Sequence, residues 1–189
     1  MECVILAAGS SSRLGMDKAL VDVGSQKLIS WISRRLSSRV ANITIVANES
    51  NFAEISKIVS DVNVIINRNP HEGRTGSLKV GIDSIDSSRV KDYRLLVVPV
   101  DRPGFSDSTL DHLICSEETC CPMKEGRGGH PLVLTFEDVD KVRRSSANSP
   151  LREVIEAVRF EVMDRFLDLN IDTPEDIINL QQKLQLVNE

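Results

Sequence analysis

Aromatic side chains are scarce in this 189-residue chain: one Trp, one Tyr and five Phe make up 4% of it. Its core must therefore be assembled from Ile, Val and Leu. Long apolar runs are missing as well. No window approaches the roughly 18 apolar residues of a membrane-spanning helix, and Met1-Glu2 ahead of a short apolar run lacks the cationic start of a secretory signal. Positive charge is in deficit, with 23 Lys and Arg against 28 Asp and Glu and a formal net charge of -5. Bulk attraction to nucleic acid or to an anionic membrane is thereby excluded, and any phosphate site has to be local. Only four cysteines are present, and their spacing is not that of a secreted disulfide framework. These absences together lead us to expect a soluble, cytoplasmic protein with reduced thiols. His112, Cys115, Cys120 and Cys121 offer zinc-ligand chemistry, but the run crosses a helix and the following strand rather than forming paired knuckles.

What is present is a 41% apolar content, enough at this length to bury roughly 70% of the unfolded surface without disulfides or a structural metal. Cys3 to Ala8 is a continuous apolar run that ends in small residues and opens into the polar turn Gly9-Ser10-Ser11-Ser12-Arg13-Leu14-Gly15. Leu28, Ile29, Ile32 and Leu36 recur at helical spacing, and Ile43 to Ala47 is a β-branched run. The alternation continues with a helix at Phe52, Ile55 and Val59 and a strand at Val62 to Ile66. A helix marked by Leu78, Ile82 and Ile85 follows Thr75-Gly76-Ser77. Leu95 to Val98 is a buried strand that breaks at Pro99, Asp101 and Pro103, ahead of a helix at Leu110, Leu113 and Ile114. The second half departs from this rhythm, with short strands at Thr119 to Met123 and Leu132 to Phe136. Ser149-Pro150 opens a helix through Val158, Phe160 to Met163 reads as a strand, and Thr173-Pro174-Glu175-Asp176 starts a last helix carrying Ile177, Leu180 and Leu184. No repeat or linker divides the chain, so we expect one α/β domain over residues 1–189.

The first loop carries the strongest chemical signal. Small residues allow close backbone approach, the amides from Gly9 to Ser12 can form an anion nest, and Arg13 and Lys18 add a forked and a point-like positive charge. That combination suits a triphosphate. It is not a Walker A loop, because Met16-Asp17-Lys18 follows Gly15, and it lacks the G-x-G-x-x-G spacing that would give weight to Glu49 as a ribose-binding acid. The alternative is a turn whose Arg and Lys face water. The second signal is Pro99-Val100-Asp101-Arg102-Pro103 at a strand end, where an Asp either holds Mg²⁺ on a nucleotide's phosphates or caps the next turn. The third is Asp172 in Ile171-Asp172-Thr173-Pro174. The serines Ser10 to Ser12 have no histidine near them in sequence and suit phosphate hydrogen bonds better than nucleophilic attack.

Leu6-Ala7-Ala8-Gly9-Ser10-Ser11-Ser12-Arg13-Leu14-Gly15-Met16-Asp17-Lys18 closely resembles the signature of the MobA/MocA-like nucleotidyltransferases, the molybdenum cofactor guanylyl- and cytidylyltransferases. Further matches are Asn69 to Leu78, Pro99 to Pro103, Gly126 to Pro131 and Ile171 to Asp176, which stand in family order from end to end. The resemblance implies a three-layer α/β/α sandwich with a mostly parallel sheet, the Rossmann-like fold of nucleotide-diphospho-sugar transferases. It implies an enzyme that moves an NMP from CTP or GTP to a small phosphorylated acceptor of the molybdopterin type, with Mg²⁺ as cofactor and no nucleic acid or membrane partner. By the same resemblance Leu6, Ala7, Ala8, Gly9, Ser10 and Gly15 border the nucleotide, and Arg13 and Lys18 grip its phosphates. Asn48 lies near the base, and Thr75, Gly76 and Ser77 form a base and ribose loop. Asp101 and Asp172 hold the metal, and Arg102 and His130 meet the acceptor. Arg102 either pairs with Asp101 when no nucleotide is bound or touches the acceptor phosphate, and His130 has the rival reading of a packed turn residue. The Ala-Ala-Gly form with Gly-His-Pro resembles the cytidylyl branch, whereas Pro-x-Asp-x-Pro resembles the guanylyl branch. A sugar- or polyol-phosphate nucleotidyltransferase and a non-catalytic nucleotide-binding regulator are the alternatives.

Overall fold

In the first strand, β1 (Glu2–Leu6), Cys3 and Ile5 join one buried apolar cluster and Val4 joins another. A strand buried on both faces needs helices on both faces, and that demand organises the architecture. The computed structural model describes residues 1–87 and 92–188. Its main sheet also contains β4 (Asn42–Ala47), β5 (Asn63–Ile66), β6 (Leu95–Pro99), β7 (Cys120–Lys124), β8 (Arg127–Gly128), β9 (Leu132–Leu134) and β10 (Val158–Glu161); a separate small ribbon pairs β2 (Asp22–Val23) with β3 (Gln26–Lys27). The strand order is β10-β7-β9-β6-β1-β4-β5, with β8 paired to β7. The pairs β1/β4, β1/β6, β4/β5 and β10/β7 are parallel, while β9 runs antiparallel to β6 and β7.

One face is covered by α1 (Leu28–Leu36), α2 (Phe52–Ile58), α4 (Asp107–Cys115) and the C-terminal α8 (Leu180–Gln185), whose Leu28, Ile32, Ile55, Leu110 and Leu184 pack with Cys3 and Ile5. The other is covered by α3 (Gly73–Asp86) and α5 (Phe136–Arg144), whose Leu78, Ile82, Val139 and Val142 pack with Val4, Val46 and Val97. The result is the three-layer α/β/α sandwich that the family resemblance implies, built on the α/β alternation read from the chain. Among the described residues, no helix is long and apolar enough to cross a membrane.

Several elements differ from expectation for identifiable reasons. Helix α3 begins at Gly73, so Thr75, Gly76 and Ser77 lie in its first turns rather than in a loop before it. The strand ending at Leu134 does not reach Phe136, because the Thr135 side chain accepts a hydrogen bond from the Asp138 amide and starts α5 there. The helix after Pro150, α6 (Leu151–Val154), stops well before Val158, which enters β10 opposite Cys120. The last helix is two: α7 (Pro174–Ile177) and α8 are broken by Asn179, which takes a left-handed conformation at φ 60°. His112 stacks on Phe160 at 4.1 Å, and no group of three or more His, Cys, Asp or Glu side chains among the described residues is arranged to hold a metal.

Candidate functional site

Because β1, β4 and β6 run parallel, their carboxyl ends share one edge, where open α/β sheets place their ligands. Leu6 pairs in register with Val46 and Pro99, so the loop after β1, Asn48 after β4 and Asp101 after β6 emerge side by side. The Ala7 amide donates to Val46 O at 2.9 Å and the Val100 amide to Leu6 O at 3.0 Å, which extends the ladder to the mouth of the loop.

The loop is held from outside. Asn51 is 1% exposed, and its Nδ2 donates to Ala7 O at 2.9 Å and to Asp17 Oδ2 at 2.8 Å. Asn48 Nδ2 donates to Gly9 O at 3.3 Å, while its Oδ1 accepts from the Ser50 and Asn51 amides. The far end is fixed by the Ser11 hydroxyl, which accepts from the Lys18 amide at 3.2 Å, with Ser11 itself at φ 49° and Gly15 at φ 76°. Burial, offset by the bonds from Asn51 and the Ala19 amide, pushes the Asp17 carboxyl up. Within this frame the backbone N–H groups of Gly9, Ser10, Ser11, Ser12 and Arg13 have no hydrogen-bond partner among the described residues. The same segment lines a cavity of about 300 Å³ together with Lys18, Asp101, Arg102 and Asp172.

The two acids are brought together across the sequence by three tethers. The Ile171 amide donates to Asp101 O at 3.0 Å, the Ser106 amide donates to Asp164 Oδ2 at 2.8 Å, and Gly104 lies so close to Phe166 O that no side chain fits between them. Lys18, 14% exposed at its side chain, lies between the acids: its Nζ is 3.4 Å from Asp101 Oδ2 and donates to Asp172 Oδ1. Arg13 Nη2 reaches Asp172 Oδ2 at 3.3 Å and Arg74 Nη2 reaches Asp101 Oδ2 at 3.6 Å. The Lys18 hydrogen bond holds the Asp172 carboxyl below the usual range, with help from Asn170 and Arg13. Asp176, held low by the Asp172 amide, fixes this turn by accepting from the Asp172 and Thr173 amides at 2.8 and 2.7 Å.

The expected residues thus separate into groups. Leu6, Ala7, Ala8, Gly9, Ser10, Arg13, Lys18, Asp101, Arg102 and Asp172 converge on the small cavity, as does Ser77. Thr75 and His130 line an adjoining cavity of about 1130 Å³. Asn48, Gly15 and Gly76 line neither; Asn48 and Gly15 shape the loop instead. Among the described residues Arg102 is not an ion-pair partner of Asp101, a place taken by Lys18 and Arg74; the Arg102 Nε is buried without a partner. His130 is pushed down to about 4 by burial, with Arg74 and Arg102 adding repulsion, and its Nδ1 is buried without a partner among the described residues. Sequence reasoning missed Arg74, Asn51 and Asn170, whose Nδ2 donates to Asp172. Arg74 stood inside a quoted motif and Asn170 two residues before Asp172, whereas Asn51 carried no signal, because it acts on Ala7 and Asp17, which are remote in sequence.

This architecture is that of the nucleotide-diphospho-sugar transferase fold class. A solved structure of Rv0371c from Mycobacterium tuberculosis H37Rv superposes with a TM-score of 0.76 over 96% of this chain and 98% of that one, at 18% identity. A nucleotidyl transferase from Methanothermobacter thermautotroptrophicus superposes at 0.75 over 99% and 98%, also at 18% identity. Residues 3–162 match the family model of the MobA-like NTP transferase domain, and the chain belongs to that family. A molybdenum cofactor guanylyltransferase of Vibrio atlanticus (strain LGP32) is 30% identical over 125 residues, 65% of this chain and 56% of the relative, so the match spans little more than half of that protein.

Proposed function

We propose that this chain is a metal-dependent nucleotidyltransferase that moves an NMP from CTP or GTP to a phosphorylated acceptor of the molybdopterin type, releasing pyrophosphate. The observation that carries this reading is the run of unpartnered amides from Gly9 to Arg13, set beside the Arg13 and Lys18 cations in the small cavity. Such an array binds phosphate oxygens without rearrangement. The family membership and the guanylyltransferase relative support the substrate class.

The residues also fit a divalent cation. Asp101 and Asp172 converge from distant segments, and beside them Asn170 Oδ1 is buried with no partner among the described residues. Hard oxygen donors of this kind suit Mg²⁺, which takes one or two carboxylates and keeps phosphate oxygens for its other positions. When bound, the ion supplies neutralisation of phosphate charge. Lys18 then turns from the acids to the α-phosphate, and Arg13 takes the β- and γ-phosphates through its fork. An acceptor phosphate oxygen forms a bond to the α-phosphorus while the bond to the bridging oxygen breaks, and that electron pair leaves with pyrophosphate. The acceptor is already an anion, so no general base is required and the chain's task is alignment and charge neutralisation. The test is pyrophosphate release with molybdopterin-type acceptor, Mg²⁺ and each NTP in turn. Release with CTP or GTP is expected, and none with any NTP overturns the reading.

A further inference from the structure

The two cavities at the sheet edge share a wall made of Leu6, Gly73, Arg74 and Pro99. Arg74 is the only charged side chain among the four. If the small cavity takes the triphosphate, the larger one takes the acceptor, and the attacking oxygen must meet the α-phosphorus at this wall. The larger space has an apolar floor that includes Leu78, Val97 and Leu132, so it suits a phosphate monoester carrying a sizeable, partly apolar body.

Arg74 is placed to serve either side. It stands in the first turn of α3, 57% exposed at its side chain, with Nη2 at 3.6 Å from Asp101 Oδ2. That oxygen is also within 3.4 Å of Lys18 Nζ, so two cations share one carboxylate oxygen. Toward the larger cavity Arg74 acts electrostatically on His130, whose Nδ1 has no partner among the described residues. A cation bound at Asp101 would deprive the guanidinium of its carboxylate and repel it. The anion it can then meet lies at the shared wall.

We infer that Arg74 is the residue that receives the acceptor's phosphate, held by Asp101 in the empty protein and handed to the acceptor once the metal and nucleotide are in place. This assignment rests on the nucleotidyltransferase reading. It makes Arg74 a specificity-determining residue, since an acceptor lacking the phosphate would leave the guanidinium unpaired.

The full chain is first loaded with Mg²⁺ and α,β-methylene CTP or GTP, which fills the nucleotide side without turnover, and phenyl phosphate is then titrated in by calorimetry. The loaded wild type should bind this probe. Arg74→Met should weaken the probe at least about tenfold while the metal–nucleotide affinity stays within about twofold, and Arg74→Lys, which keeps the charge but loses the fork, should fall between. Unchanged phenyl phosphate affinity in Arg74→Met overturns the assignment. So does an equal loss of nucleotide affinity, which would give the guanidinium to the triphosphate, and so does a loaded wild type that ignores the probe. Failure of the wild type to bind either metal–nucleotide analogue is a different result and overturns the parent reading.

Discussion

Single side chains here act mainly by where their charge lies. Lys18 is the clearest case, because one ammonium meets both acids and would serve the α-phosphate in the proposed reaction. Lys18→Met should lower pyrophosphate release by about 100-fold or more, the cost of removing one preorganised charge-stabilising donor, with circular dichroism unchanged; release within threefold of wild type would remove Lys18 from the chemistry. His130 makes a pH prediction. Its folded value of about 4 lies below its ordinary 6.5, owing to burial and then to Arg74 and Arg102. Between those two values the unfolded chain holds a proton that the folded chain refuses, so stability must fall as pH falls through that window, by on the order of 3 kcal/mol. Above pH 6.5 the residue contributes no slope. His130→Gln should flatten that part of the curve in denaturant titrations at pH 4 to 7, and an unaltered slope would show that the imidazole is not the group responsible.

At the scale of elements, the contact that aligns the acids is backbone against backbone. A Cβ at Gly104 would lie 1.8 Å from Phe166 O, so Gly104→Ala must push the segment after β6 away from the one that carries Asp172. We expect a loss of about 1–3 kcal/mol from the overpacking, read as a lower denaturation midpoint, together with weaker metal–nucleotide binding. A variant as stable as wild type would mean the two segments separate freely. The same tethers show what the sequence could reveal about elements. The βαβ half was legible because β1 and β6 read as apolar runs and β4 as a β-branched run, and because α1 repeats Leu28, Ile29, Ile32 and Leu36 on one side. Helix α5 was not, since only Val139 and Val142 are its buried apolar residues; its Thr135 cap was a readable signal masked by the apolar run of β9 ahead of it. The strand β10 was displaced because Val158 and Phe160 fit helix or strand equally well over so short a stretch, and only pairing with β7 decides between them.

For the molecule as a whole, the candidate site runs against the average. The chain is acidic overall, yet the small cavity is lined by four cations, Arg13, Lys18, Arg74 and Arg102, against three acids, Asp17, Asp101 and Asp172. The loop and both acids were legible in the sequence because each sits at a strand end or turn with a distinctive residue order. Their convergence was implied by the family resemblance alone and not by the residues themselves, because it depends on the bond from the Ile171 amide to Asp101 O, between residues 70 positions apart. That local excess of cations fixes the order in which ligands can stabilise the protein. A divalent ion alone must displace Lys18 from between two carboxylates and gains no phosphate in return, whereas a triphosphate alone meets free amides and cations. Free Mg²⁺ should therefore leave the melting temperature nearly unmoved, and nucleotide without metal should raise it modestly. The two together at about 100 times their dissociation constant should add about 2.7 kcal/mol, a rise of roughly 5–10 °C for a chain of this size. Differential scanning fluorimetry with each ligand alone and both combined reads this directly. If Mg²⁺ by itself matched the combined shift, Lys18 would not be holding the metal's place, and the charge balance argued for the cleft would be wrong.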